Sequence, residues 1–127
     1  MSVRLIYETI LVNYLLKKKE FGQVIGIYEK KWGKVQLKKY KSKDIRKLLK
    51  KIDKVCFWFF GNAQCLHRSL IGFKLIRKKG IPVQLIIGVK KFPFSSHAWL
   101  VYEDKVINDV QSVSQSYIEI MRIGDRN

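Results

Sequence analysis

Cysteine and histidine are nearly absent from this chain, with two of each in 127 residues. Cys56 and Cys65 stand nine positions apart, which fits neither a CxxC pair nor a zinc-ligand spacing, and two cysteines do not build a disulfide framework. Both thiols are expected to be free, as in a reducing cytoplasm. Acidic residues are scarce too: ten Asp and Glu stand against 26 Lys and Arg, for a formal net charge of +16. The imbalance is concentrated between Lys17 and Lys54, where fifteen basic residues face only Glu20, Glu29, Asp44 and Asp53. Such a stripe attracts nucleic acid, anionic lipid or an acidic peptide by long-range steering; the alternative is a solvated face. Long apolar runs are missing. The stretch from Leu5 to Leu16 carries Glu8 and Asn13, lacks a small-residue cleavage site and falls short of the ~20 residues that span a bilayer. Neither a secretion signal nor a transmembrane segment is expected. There is no glycine-rich phosphate loop, no repeat and no low-complexity tract. What is present, 47% hydrophobic residues with 7 Phe, 6 Tyr and 3 Trp, suffices for one folded domain over 1–127. Its first 60 residues read as a helical basic region and residues 61–127 as a helix-and-sheet core.

Apolar periodicity places a first helix over 3–16 (Leu5, Ile6, Ile10, Leu11, Tyr14, Leu15), closed by Lys17-Lys18-Lys19 at the negative pole of its dipole. Val24, Ile27, Tyr28 and Lys31 mark a second helix, or a bent continuation of the first, over 21–32, and 33–43 is a basic connector. Ser42 is the expected N-cap of a third helix over 44–60, with Ile45, Leu48, Leu49, Ile52, Val55 and Phe59 on one face. Gly61-Asn62-Ala63-Gln64 breaks it and leads into a helix from Cys65 to Lys79, stopped by Gly80 and Pro82. Residues 83–89 read as a strand, 90–96 as a loop, 97–102 and 105–108 as a hairpin, and 117–123 as a last strand or short helix. Helices first, then a cysteine-bearing helix on a small antiparallel sheet, define the class as α+β; the order of a Cys65 helix, a strand, a His97 strand and an Asp109 strand resembles that of a papain-like or transglutaminase-like core.

Cys65, His97 and Asp109 are the candidate catalytic residues: a cysteine opening a helix, a histidine beginning a strand and an aspartate ending the next. Only the thiolate attacks, and a helix N-terminus and an imidazolium neighbour both favour it, while a carboxylate fixes the imidazole tautomer. Strand alternation sets a condition on the hairpin. A three-residue loop at Tyr102-Glu103-Asp104 would pair Val101 with Lys105 and put His97 directly opposite Asp109; a two-residue loop would set His97 opposite Val110. An odd-length loop is therefore predicted. The Cys65 backbone amide is the first oxyanion donor, with Gln64, Asn62 and Trp58 as side-chain candidates. Each residue also has an ordinary reading, as a structural cysteine or a satisfied core histidine; their conjunction favours chemistry. Cys56 reads as a small core hydrophobe, His67 as a poor base on another helix face, and Arg68 as a helix-pinning ion pair in preference to a substrate-carboxylate ligand.

The segments Cys65-Leu66-His67-Arg68-Ser69-Leu70, Arg77-Lys78-Lys79-Gly80-Ile81-Pro82, Ile86-Ile87-Gly88-Val89, Phe92-Pro93-Phe94-Ser95-Ser96-His97-Ala98-Trp99 and Val106-Ile107-Asn108-Asp109 resemble, in order and spacing, the lasso-peptide leader peptidases of the transglutaminase-like superfamily. The resemblance covers residues 60–110. It implies a bacterial, cytoplasmic cysteine protease that removes the leader from a ribosomally made precursor through Cys65, His97 and Asp109. It further implies a small separate recognition protein that holds the leader, and an ATP-using cyclase that acts on the product. Relatives are linked to ATP, yet no cofactor is evident here, and no metal. Lys17, Lys18, Lys19, Lys30, Lys31, Lys38 and Lys39 are then candidates for docking the recognition protein or an acidic face of the precursor. Two other readings stay open: a transglutaminase-like acyltransferase or amidase on the same core, and a basic nucleic-acid-binding module that is no enzyme. The last lacks the alternating aromatic and basic strand pattern of base-stacking surfaces, so no nucleic-acid partner is expected.

Overall fold

The computed structural model describes residues 3–34, 42–60 and 65–125. Four helices come first: α1 (Val3–Lys18), α2 (Phe21–Trp32), α3 (Ser42–Phe60) and α4 (Cys65–Lys78). After them come β1 (Gln84–Lys90), β2 (Ser95–Tyr102), β3 (Lys105–Val106), a single-turn α5 (Val113–Ser116) and β4 (Ile118–Ile123). The strands form one antiparallel sheet in the order β3-β2-β1-β4. The class is α+β, as the periodicities predict. The final segment resolves into a strand, with α5 as an unforeseen turn before it.

α4 organises the molecule. Its residues 69–77 are buried without interruption, because α1, α2 and α3 cover one side of it and β1 and β2 the other. Leu70, Ile71, Phe73 and Ile76 join Leu49, Ile52 and Val55 of α3, Val24 and Tyr28 of α2, and Leu85, Ile87, Ala98 and Leu100 of the sheet in one core. The helix ends where the sequence says it should. Gly80 takes φ +86, its N–H bonds to the Arg77 carbonyl at 2.9 Å, and the Ile81 N–H reaches back to Ile76 at 3.4 Å. This pair of bonds closes a helix on a left-handed glycine.

Charged side chains are buried as well. Glu8 of α1 is buried and bonds Lys74 of α4 at 2.6 Å, and the Lys74 ammonium also lies 4.7 Å from the Trp32 ring centroid. Arg77, in the last turn of α4, is fully buried. Its guanidinium donates to the carbonyls of Val83 (2.7 Å), Gly33 (2.8 Å) and Asp125 (2.9 Å). Lys17, Lys18, Lys19, Lys30 and Lys31 are exposed as expected; Lys38 and Lys39 lie outside the described residues. Among the described residues no helix is long and apolar enough to cross a membrane.

Candidate active site

β3 pairs with only two residues of β2, Val101 and Tyr102. On that side the β2 edge from Ser95 to Leu100 has no strand partner among the described residues, and alternate residues there must find other bonds for their backbone groups. Ala98 and Leu100 are two of those that face outward. The Ala98 amide bonds the Cys65 sulfur, and its carbonyl accepts from Ser69 Oγ at 3.2 Å. The Leu100 amide donates to Asn108 Oδ1 at 2.8 Å, and its carbonyl accepts from the Ile107 N–H at 3.0 Å. Asn108 Nδ2 then reaches Ser69 Oγ at 3.0 Å. Cys65 and Ser69 sit one turn apart on the same face of α4. The first turn of α4 is thus fastened to the β2 edge by side chains where a longer β3 would have run.

That fastening assembles the trio. His97 Nε2 meets Asp109 Oδ2 at 2.7 Å, and the imidazole is also hydrogen-bonded to Cys65, for which Nδ1 is the remaining ring nitrogen. The other Asp109 oxygen accepts from the Val110 N–H at 2.8 Å, so the carboxylate is held at both ends. The His97 ring stacks with Tyr117 at 5.4 Å and Trp99 at 6.0 Å between centroids, each at 25°. Gly88, paired with His97 across β1 and β2, leaves room for this stack. A Cβ there would come within 2.7 Å of the Trp99 ring and 2.9 Å of Tyr117.

The predicted loop length is wrong, although the contact it was meant to secure is present. Tyr102 pairs with Lys105 and Val101 with Val106, so the hairpin turns on two residues, Glu103 and Asp104, both at positive φ (52 and 64). In a continued ladder this register would place Val110 opposite His97. Instead β3 stops at Val106, residues 107–109 bend, and Asn108 contributes its side chain where backbone pairing would have continued. The bend carries Asp109 back to the imidazole.

The electrostatics follow from the contacts. For Cys65, burial opposes the thiolate, but the His97 hydrogen bond, the Ala98 amide and the charges of His97 and Arg68 together outweigh it and pull the thiol below its ordinary value. For His97, the bond to Cys65 raises the imidazole most; burial opposes this, and Asp109 reinforces it. The pair is biased toward thiolate and imidazolium. Cys56, buried in the core, is pushed the other way, to about 11, and burial lowers the pKa of His67. Arg68 pairs with Asp53 of α3 at 3.2 Å, the helix-pinning role expected of it.

A reactivity contrast between the two thiols follows. Iodoacetamide at pH 7 should label Cys65 and spare Cys56, with peptide mapping reading the site. The Cys65 rate should stay high below pH ~8.5, where an unperturbed thiol has lost most of its thiolate. In His97→Ala the counter-ion is gone while burial stays, so the rate at pH 7 should fall at least ~10-fold. Equal labelling of both cysteines, or an unchanged rate in the variant, would count against the ion pair.

Beside the thiol a cleft of about 210 Å³ is walled by Phe21, Leu66, Ile87, Val89 and Ile120. Leu66 comes from α4 and Ile87 and Val89 from β1, whereas sequence reasoning missed Phe21 of α2 and Ile120 of β4, distant in the chain and marked by nothing local. It quoted Asn108 without a role; an amide just past a strand end, able to mimic a peptide group, is the signal that was available. Of the oxyanion candidates, Asn62 and Gln64 lie outside the described residues. Trp58 projects from α3 with 75% exposure and is not among the described residues lining the cleft. The Cys65 amide opens the 14-residue α4, where N–H groups lack intrahelical partners. Among the described residues no group of three His, Cys, Asp or Glu side chains is placed to hold a metal ion.

A thiol at a helix start, an imidazole on a strand and a carboxylate in the bend after the next strand are groups that thiol-dependent acyl transfer can use. The comparison of families agrees: residues 9–122 match the family described as Transglutaminase-like superfamily, and the chain belongs to it. No curated protein and no solved structure matches the chain.

Proposed function

We propose that this protein is a cysteine peptidase that removes the leader from a ribosomally made lasso-peptide precursor, with Cys65 as nucleophile, His97 as acid–base and Asp109 as its orienting carboxylate. The observation that carries the reading is the continuous row Cys65–His97–Asp109, closed at 2.7 Å on its carboxylate side. Superfamily membership supports the chemistry, and the motif resemblance over residues 60–110 supports the substrate. The Cys65 sulfur adds to the scissile carbonyl, whose oxygen gathers negative charge at the Cys65 amide and the α4 dipole. The C–N bond breaks as His97 gives its proton to the leaving amine, leaving a thioester on Cys65. Water then attacks the thioester, His97 takes its proton, and the acid product leaves the thiolate restored. Asp109 holds the imidazole in register and stabilises its cationic form.

The precursor reaches this site with a small leader-recognition protein, for which Lys17, Lys18, Lys19, Lys30 and Lys31 offer a cationic docking surface. The freed amine is the substrate of a separate cyclase. A transglutaminase-like acyltransferase would use the same thioester, so the products decide. Mass spectrometry of protein, recognition protein and precursor should show two fragments whose masses sum to the precursor plus one water. A product lighter by one ammonia, with no fragments, would assign cross-linking instead.

A further inference from the structure

At the far end of α4 from Cys65 the structure carries a second cleft, of about 490 Å³, built by three helices. Leu5 of α1, Leu48 of α3 and Leu75 of α4 line it together with four cations: Arg4, Lys51, Lys78 and, just past α4, Lys79. All four cations are exposed, and none forms an ion pair among the described residues. Lys78 and Lys79 are not occupied in capping the helix, because the Gly80 and Ile81 amides already bond its last carbonyls. Among the described residues no carboxylate lines the cleft. An aliphatic floor rimmed by unneutralised cations is complementary to a chain that offers an aliphatic side chain flanked by carboxylates.

We propose that this cleft binds an acidic segment of the peptide substrate, anchored by one aliphatic side chain; this rests on the peptidase reading above. A membrane is a poorer occupant, since a lipid surface does not enter a concave cleft. Nucleic acid is poorer too, for the floor has no aromatic ring on which a base could stack. The two ends of α4 lie about 20 Å apart at 1.5 Å per residue. An extended peptide covers about 3.3 Å per residue, so the anchor sits at least ~6 residues from the scissile bond. Recognition is then bipartite, with the acidic anchor supplying affinity and the thiol end supplying chemistry.

The test separates binding from cleavage. Full-length Cys65→Ala protein is titrated with a dye-labelled ten-residue peptide of alternating Glu and Leu, followed by fluorescence anisotropy. Adding Lys51→Glu, Lys78→Glu and Lys79→Glu, or Leu48→Asp alone, should raise Kd at least tenfold. The same charge change at the exposed Lys34, Lys91 and Lys105 should raise it less than threefold. An all-Glu peptide should bind about tenfold more weakly for want of its buried leucines. Melting curves establish that each variant is folded, and the milder triple change to Gln serves if the Glu variant is not. Equal binding of the all-Glu peptide, or equal loss from the control lysines, overturns the cleft and leaves only diffuse charge. Displacement of the peptide by RNA or by phosphatidylglycerol vesicles, but not by an unlabelled copy, overturns it as well. If the peptide binds as stated while wild-type protein cleaves no precursor, the peptidase reading falls and the cleft stands. If the precursor is cleaved with unchanged KM by the triple variant, the cleft falls and the peptidase stands.

Discussion

Replacing Cys65 with Ala should lower the rate of precursor cleavage by about 10⁴- to 10⁶-fold while leaving the fold intact. The magnitude follows from the role: removing the nucleophile of an acyl-transfer row removes the covalent pathway itself, and what survives is the modest acceleration from binding and the oxyanion site. The fold should survive because the thiol sits at the rim of the cleft and contributes one bond, to the Ala98 amide, among the four that fasten the β2 edge. Cys56→Ala is the matched control. Its thiol is a core filler, 1% exposed, so that variant should cleave normally and melt somewhat earlier. Fragment yield by mass spectrometry checks both. A Cys65→Ala protein with more than about a tenth of wild-type rate would remove the thiol from the mechanism. One that loses nothing, and still binds nucleic acid, would return the chain to the class of basic binding modules.

How far the sequence could be read depended on whether the deciding contact was local. The helices were legible because one turn of helix repeats its apolar positions within four residues, and α1 to α4 fall within two residues of their predicted bounds. The trio was singled out for a different reason: the sequence pattern put each member at the edge of an expected element, although in the structure His97 is the third residue of β2 and Asp109 lies in the bend past β3. The hairpin was not. Tyr102-Glu103-Asp104-Lys105 has neither Gly nor Asn, the usual marks of a two-residue turn with both φ angles positive, so the register came out one residue wrong. The Asp109 contact survived that error because β3 is two residues long and its successor bends, with Asn108 contributing a side chain in place of the ladder. Glu8 and Lys74 were illegible as a pair for the plainest cause, 66 positions of intervening chain. A charge that looks like an interruption of an apolar stripe can be half of a buried ion pair, and no local pattern distinguishes the two.

Arg77 carries the same lesson into energetics. Arg77→Leu should cost about 3–5 kcal/mol of unfolding free energy, a loss typical of stripping a buried charged donor from its partners. The side chain ties three separated stretches of chain together: Gly33 after α2, Val83 before β1 and Asp125 after β4. Burial works against the guanidinium and lowers its pKa, the Asp125 charge partly offsets this, and the side chain stays cationic throughout the accessible range. In the Leu variant the Val83 carbonyl, at a buried position, loses the Arg77 donor, and an orphaned buried acceptor costs about 1–3 kcal/mol; the Gly33 carbonyl loses one of two donors and keeps the Asp125 N–H at 2.9 Å. A domain of this size has about 5–15 kcal/mol in total, so the variant should lose roughly a fifth or more of its stability. Urea unfolding followed by far-UV circular dichroism measures it, as a lower midpoint at similar slope. Arg77→Lys should fall in between, since a lysine keeps the charge but not the planar fork that serves three carbonyls at once. A Leu variant within 1 kcal/mol of wild type would mean that water, and not Arg77, satisfies those carbonyls. The Cys65 thiol should keep its selective alkylation in whatever fraction remains folded, because Arg77 lies more than three turns along α4 from the site and acts on the stability of the scaffold alone.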